Sequence, residues 1–383
     1  MCNQDQSGAM CHFVPEYVLQ RIAGSEAVPE EARQAARDTL TTDGNFRGQR
    51  ERAPTCGTAV NIPAASIAAA QAPIITALVG PAARDEPSGS APVALALRRA
   101  VYDGRHNSQL PGTLARSEGT RRIFDRQVNN AFDGVGITVK FFYTVFGRNA
   151  IDNNGGTPVI TVHHNPNPGT LGYNNAFWNG DQFVFGDGDG ITFDYFTDSL
   201  DVVAHELTHA ITQYVAGIPY NGQAGGLNES ISDVFAALVE QWHFTQTAAD
   251  ADWLTGQNLF PIAFKGAALR NIAKPGTAYN DPILGKDPQI DHFTKYRDDL
   301  DVHITSGIPN RAFYLIAIGF GGFAWLKAGR IWYETLRDTR IREFGERITF
   351  EDWATVTVDQ ANQLFGASAL TIVRNAWVSV GVL

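Results

Sequence analysis

The chain has 383 residues with 40 acidic against 30 basic side chains, a net charge of −10. No basic run and no aromatic-basic interleaving accompanies that balance, so no nucleic-acid partner is expected. All three cysteines, Cys2, Cys11 and Cys56, lie near the N-terminus, so the rest of the chain cannot depend on disulfides.

In chain order, the N-terminus lacks a charged stretch followed by an apolar one, so no secretory signal peptide is expected. Val14–Gly24 and Val28–Leu40 read as two short helices. Residues 51–97 read as an Ala/Pro-rich linker. Its apolar piece, Ile62–Val79, is mostly alanine and contains Pro63 and Pro73, a poor membrane span. The remaining body is long enough for two lobes. Strand patterns near Ile137–Phe146, Pro158–Val162 and Gln182–Phe185, with Gly-rich turns between them, predict a β-rich lobe over 98–218. Helical periodicity at Asp201–Ala216, Ser230–Phe244, Asn310–Ile318, Gly329–Arg337 and Phe350–Phe365 predicts a helical lobe over 219–383. The fold class is α+β, with a cleft between the lobes. Gly319–Tyr333 reads as a Gly-broken turn, and "DGDGITFD" as a structural turn without EF-hand spacing.

The chemistry concentrates at His205-Glu206-Leu207-Thr208-His209. By residue frequencies this pattern should arise by chance roughly 0.01 times in such a chain. The run from Ala204 to Ala216 lacks Gly and Pro, so it reads as a helix that Gly217 and Pro219 end. One turn apart on that helix, both imidazoles face one ion. Two core histidines satisfied by hydrogen bonds are the plain alternative. Catalytic zinc takes three protein ligands, and Glu229 follows 24 residues after His205, at the start of the second apolar run. Asp233 shares its helix face and suits the hydrogen bond that orients a ligating histidine.

Beyond this motif, "YNNAFWNG", "GDGDG", "DVVAHELTHA", "NESISD", "LRNIAKP" and "DVHITSGIPNRAFYLIA" occur in order across residues 98–383. In these stretches the chain resembles the thermolysin family of zinc metallopeptidases, and within it the protealysin-like members. The resemblance implies a two-lobe zincin and a zinc-dependent metalloendopeptidase made as an inactive precursor. His205, His209 and Glu229 would be the zinc ligands, one zinc per chain. Glu206 would be the general base that deprotonates a zinc-activated water for attack on the peptide bond. Tyr220 and His303 would stabilise the oxyanion, with Asp298, chosen by position over its neighbours Asp299 and Asp301, holding His303 protonated. Arg270, Asn175 and the Ala176 carbonyl would bind the substrate backbone as an added strand. Phe193, Phe196, Val202 and Leu269 would line a pocket preferring a hydrophobic residue on the leaving-group side, shallower for the bulk of Phe196.

The resemblance also implies calcium through Asp201, Glu240 and Asp252. Leu254 and Gln257 stand where a double site needs further oxygens, so only a single weak calcium is expected. "CHFVPEYVLQRIA" resembles the short pro-segment motif of protealysin-like precursors, with Glu16 where a second proline is usual. Residues 1–50 would then be a pro-segment acting as the chain's own inhibitor, with a maturation site in the linker 51–97 and the cut expected between Ala83 and Arg99. Cys11 is either a zinc ligand that silences the zymogen or a free cysteine in a tail. The partners expected are peptide and protein substrates. Family habit implies secretion, by a non-classical route without a signal peptide, with a cytoplasmic location as the alternative. Two other functions stand beside this reading: a catalytically silent zinc-containing binding or adhesion module, and a narrow-target virulence protease. Retention of Glu206, Tyr220 and His303 argues against the silent module.

Overall fold

The structure is a computed structural model describing residues 11–50, 95, 97–261, 266 and 268–383, with the side chains of 47–50 outside the description. Cys2, Cys56, the apolar piece Ile62–Val79 and nearly all of the expected cut region lie outside the described residues.

The first element is a strand of two residues, β1 (Cys11–His12), followed by helices α1 (Glu16–Gly24) and α2 (Glu30–Arg50). The sheet continues with β2 (Ala100–Asn107), β3 (Thr113–Ser117), β4 (Val159–His164), β5 (Ala176–Trp178) and β6 (Phe183–Gly186). Its six strands are ordered β1-β5-β6-β4-β2-β3. β2, β4 and β6 run parallel, while β1 pairs antiparallel with β5 in the register Cys11↔Trp178 and His12↔Phe177. The N-terminal segment therefore completes the sheet.

Between β3 and β4 runs α3 (Arg126–Phe146), which corrects the strand expected over Ile137–Phe146. Its β-branched residues carry strand propensity, but that preference yields to context. Asp125 caps the helix by accepting from the amides of Gln127 and Val128, and Gly147 ends it with φ 72°. Val128, Ala131, Phe132, Val135, Val139, Phe142 and Phe146 are buried at helical spacing. A Cβ on Gly134 would lie 3.1 Å from Val203, so α3 packs closely on the next helix.

That helix is α4 (Leu200–Val215), and α5 (Gly222–Phe244) packs along it. α5 starts well before the expected Ser230, because its glycine-rich first turns carry little helical signal. Those glycines serve packing: a Cβ on Gly225 would stand 2.5 Å from Val302, and one on Gly226 2.6 Å from Thr305. A short pairing of β7 (Leu254–Thr255) with β8 (Arg270–Asn271) leads to α6 (Val302–Thr305), α7 (Gly307–Phe320), α8 (Ala328–Arg337), α9 (Thr339–Phe344), α10 (Phe350–Phe365) and α11 (Ala367–Ser379). Neither α9 nor α11 was expected from the sequence. Trp332 stacks on Trp377 at 5.7 Å, and Thr349 and Asp352 close a capping box at the start of α10. One hydrophobic core joins both lobes and includes Phe13, Val18, Leu19 and Ile22 of the N-terminal segment. No helix among the described residues is long and apolar enough to cross a membrane.

Candidate metal centre and peptide cleft

α4 presents His205 and His209 to α5, which carries Asn228, Glu229 and Asp233, all buried. His205 Nδ1 is 3.0 Å from Asp233 Oδ1, and His209 Nδ1 is 2.8 Å from Asn228 Oδ1. The Asn228 amide donates to the Ile218 carbonyl, which fixes its orientation. With both Nδ1 atoms directed at acceptors, both Nε2 atoms face inward, 2.9 Å apart. Glu229 brings Oε2 within 3.4 Å of His205 Nε2 and Oε1 within 3.6 Å of His209 Nε2. Cys11 Sγ lies 2.7 Å from both His209 Nε2 and Glu229 Oε1.

These four donor atoms all lie within 4.8 Å of one another. Glu229 Oε2 has no hydrogen-bond partner. A tetrahedral ion with bonds of about 2.0–2.3 Å needs donors separated by about 3.3–3.8 Å. Glu229 stands at that separation from both imidazoles, the imidazole pair and Cys11 stand closer, and the set of two imidazoles, a carboxylate and a thiol is one that zinc takes. The electrostatics agree that positive charge belongs at this point. Burial would raise the Glu229 carboxyl, but His303, His205 and His209 outweigh it and hold it well below its ordinary value. Burial and His205 push His209 down to about 3, while Asp233 and Glu229 overcome burial to lift His205 to about 9.

Glu206 is buried, and neither carboxylate oxygen has a hydrogen-bond partner of normal geometry. Burial, helped by the charge of Glu229 and opposed by His205, pushes it up to about 8. Tyr220 donates its hydroxyl to Glu229 and stands 3.3 Å from His303 Nε2. The carboxylate beside His303 is Asp301, 2.7 Å from Nδ1. This corrects the expectation of Asp298, which is exposed and interacts with Tyr296 instead. Asp301 also caps α6 through the His303 amide. That capping position, two residues before the histidine, was the readable signal.

The N-terminal segment runs through the cleft. Phe13 donates its amide to the Ala176 carbonyl at 3.0 Å. Asn175 accepts from the Val14 amide at 2.8 Å and donates to its carbonyl at 3.2 Å. The His12 carbonyl lies 2.9 Å from His303 Nε2, and Arg270 Nη1 donates to the Phe13 carbonyl at 3.1 Å. Arg270 is locked by a bidentate pair with Asp233. The Phe13 ring lies under the Arg270 guanidinium and edge-on to His205. Leu259 and Leu269 meet Phe13 around Gly256. Phe193 and Phe196 pack on each other, and Val202 shares their core. Sequence reasoning missed Leu259, and also Asp43, which receives the Tyr173 hydroxyl and the Asn175 amide and pairs with His12.

The residues read as a calcium site are only partly assembled. Asp201 is buried and already accepts from Ser199, the Val202 amide and the Gly256 amide. Asp252 is exposed. Burial and the charges of Asp201 and Asp252 push Glu240 up to about 8.

Comparison with known proteins bears on this geometry. Residues 96–213 match the family model described as thermolysin metallopeptidase, catalytic domain, and residues 216–382 the one described as thermolysin metallopeptidase, alpha-helical domain. The chain is 40% identical over 381 residues to an extracellular metalloprotease of Pectobacterium carotovorum subsp. carotovorum, covering 98% of each. It is 42% identical over 292 residues to protease PrtS of Photorhabdus sp. (strain Az29), covering 75% of this chain and 76% of that one. Among solved structures it is similar to the precursor of protealysin, a metalloproteinase from Serratia proteamaculans. That match has a TM-score of 0.79 and 39% identity, and covers 97% of this chain and 100% of the other.

Proposed function

The chain belongs to the thermolysin family of metallopeptidases and is a metalloendopeptidase made as a precursor, and on that premise we propose which of its residues do the work. His205, His209 and Glu229 hold one zinc ion, oriented by Asp233 and Asn228. Zinc, when bound, supplies the Lewis acidity that activates water near neutral pH and polarises the carbonyl. Glu206 takes the proton of the attacking water and returns it to the leaving amine, a task for a buried carboxylate whose oxygens keep no hydrogen bond of normal geometry and which the charge of a bound ion would hold ionised. Tyr220 and His303 donate to the developing oxyanion, and Asp301 keeps His303 charged. Asn175, the Ala176 carbonyl and Arg270 hold the substrate backbone as they hold Val14 and Phe13 here.

The observation that carries this reading is the passage of the chain's own segment through the cleft. The His12 carbonyl meets the oxyanion donor, and Phe13 fills the side pocket. The preference for a hydrophobic residue on the leaving-group side rests on that apolar surround. Cys11 is the fourth ligand in the precursor and takes the position a water needs. Residues 1–50 form the inhibitory pro-segment, 51–97 the linker with its cut, and 98–218 and 219–383 the two lobes. Secretion is supported by the extracellular metalloprotease relative.

Wild type and Glu206→Ala are compared for casein hydrolysis, with mass spectrometry of the N-terminus. Wild type should lose about the first hundred residues and digest casein, while the variant stays full length and silent. Digestion by Glu206→Ala would overturn the assignment of the base. Cys11→Ser should mature faster than wild type, and equal latency would remove Cys11 from the metal centre.

A further inference from the structure

A second cluster of metal-ligating side chains lies away from the cleft, at one rim of the sheet. The parallel strands β2, β4 and β6 end together there, with Asn107 paired to His164 and His164 to Gly186. Both ladders slip in register just before this rim. Within the slipped stretches Arg105, His106 and His163 have φ of 51°, 53° and 55°. Left-handed backbone is uncommon for residues other than glycine, and it persists where the surroundings impose it. Here it turns two imidazoles toward the carboxylate that follows β6. His163 Nδ1 is 2.8 Å from Asp187 Oδ2, and His106 Nδ1 is 3.3 Å from the same oxygen. The three donor atoms lie within 4.8 Å of one another.

We propose that His106 Nδ1, His163 Nδ1 and Asp187 form a second site, for a first-row divalent transition ion such as zinc, with water completing the shell. The chemistry of the donors selects the ion class. Two imidazoles and one carboxylate suit zinc, cobalt or nickel, whereas calcium asks for six to eight oxygens. The support behind the ligands has the form metal sites use: His163 Nε2 lies 3.0 Å from Asp125 Oδ2. Asp125 is in turn fixed by capping α3, so the ring is aimed by a rigid element. The His106 side chain is 65% exposed, which gives an ion a direct way in. Binding replaces the proton that His163 Nδ1 shares with Asp187, so one proton leaves as the ion enters.

The site would brace the peptide-binding strand. Gly186 and Gly188, the neighbours of Asp187, donate their amides to the carbonyls of Asn175 and Tyr173. The segment that grips peptide backbone is therefore tied to the same rim.

The test dialyses untagged full-length protein against micromolar zinc and measures zinc per chain for wild type, His106→Ala and Asp187→Asn. Wild type should hold one ion more than either variant, with the catalytic ion retained in all three. His106 is exposed, so its loss leaves the fold intact, and an unchanged circular dichroism spectrum checks this. Zinc should also raise the melting temperature of wild type by a further increment that His106→Ala lacks. Equal zinc content in wild type and His106→Ala overturns the site, whether that content is one ion or two. Loss of the catalytic ion alone would lower all three equally, so failure of the active-site reading leaves this difference readable.

Discussion

The two walls of the cleft hold the same N-terminal segment by different means. The sheet wall uses backbone: β5 pairs with β1, the Ala176 carbonyl takes the Phe13 amide, and Asn175 imitates another strand residue. The helical wall uses side chains, with Glu229 on Cys11, His303 on the His12 carbonyl and Arg270 on the Phe13 carbonyl. The first kind of grip reads the chain's path without reading its sequence. The second requires charges held in place by other charges, and it is where the buried ion pairs lie. Damage to the two walls should therefore differ in kind.

The largest effect should come from the helical wall. Arg270→Ala leaves Asp233 buried without its bidentate partner, and breaking such a pair costs about 3–5 kcal/mol. Urea unfolding should register that loss, and a change below about 1 kcal/mol would mean Asp233 finds its compensation in His205 and Asn310. Next come the oxyanion donors. Tyr220→Phe or His303→Ala should lower kcat by ~10²–10³, and Tyr220→Phe should do so with the unfolding midpoint near wild type. A loss confined to KM would instead place these groups in ground-state binding.

On the sheet wall, Asn175→Ala removes two hydrogen bonds to Val14 and one to Asp43 but leaves the ladder itself. At about 1 kcal/mol per bond, a synthetic 11–50 peptide should inhibit the mature variant more weakly by about one to two orders of magnitude. Equal inhibition would show that the strand pairing alone carries the grip.

The smallest effect separates two neighbouring acids. Asp301 and Glu229 raise the pKa of His303 against the pull of burial. Asp301→Asn removes part of that support, so the imidazolium loses its proton at lower pH and the alkaline limb of the pH–rate profile moves down. Asp298→Asn should leave the profile unchanged. A shift with Asp298→Asn instead would restore the sequence-based assignment.

Much of this arrangement was legible in the residues themselves. His205, Glu206, His209, Glu229 and Asp233 lie on two helices, where spacing along the chain becomes position on a face. The helical runs of the C-terminal lobe were readable for the same reason. Ile137–Phe146 misled because β-branched residues report a local preference, whereas the cap at Asp125 and the burial of one face act over the whole helix. Asp301 was passed over because three acids within four residues look alike until one of them caps a helix under His303.

By itself, then, the sequence determined the ligand pattern, the chemistry of the centre and the helices that carry it, because short-range periodicity encodes them. Only the tertiary structure decided which acid meets His303, and that the N-terminal segment enters the sheet as a strand. It alone brought Cys11 to residues 198 and 218 positions away. It also gathered His106 and His163 from two strands and Asp187 from the end of a third. Contacts of that kind depend on strand order and register, which no local pattern of residues specifies.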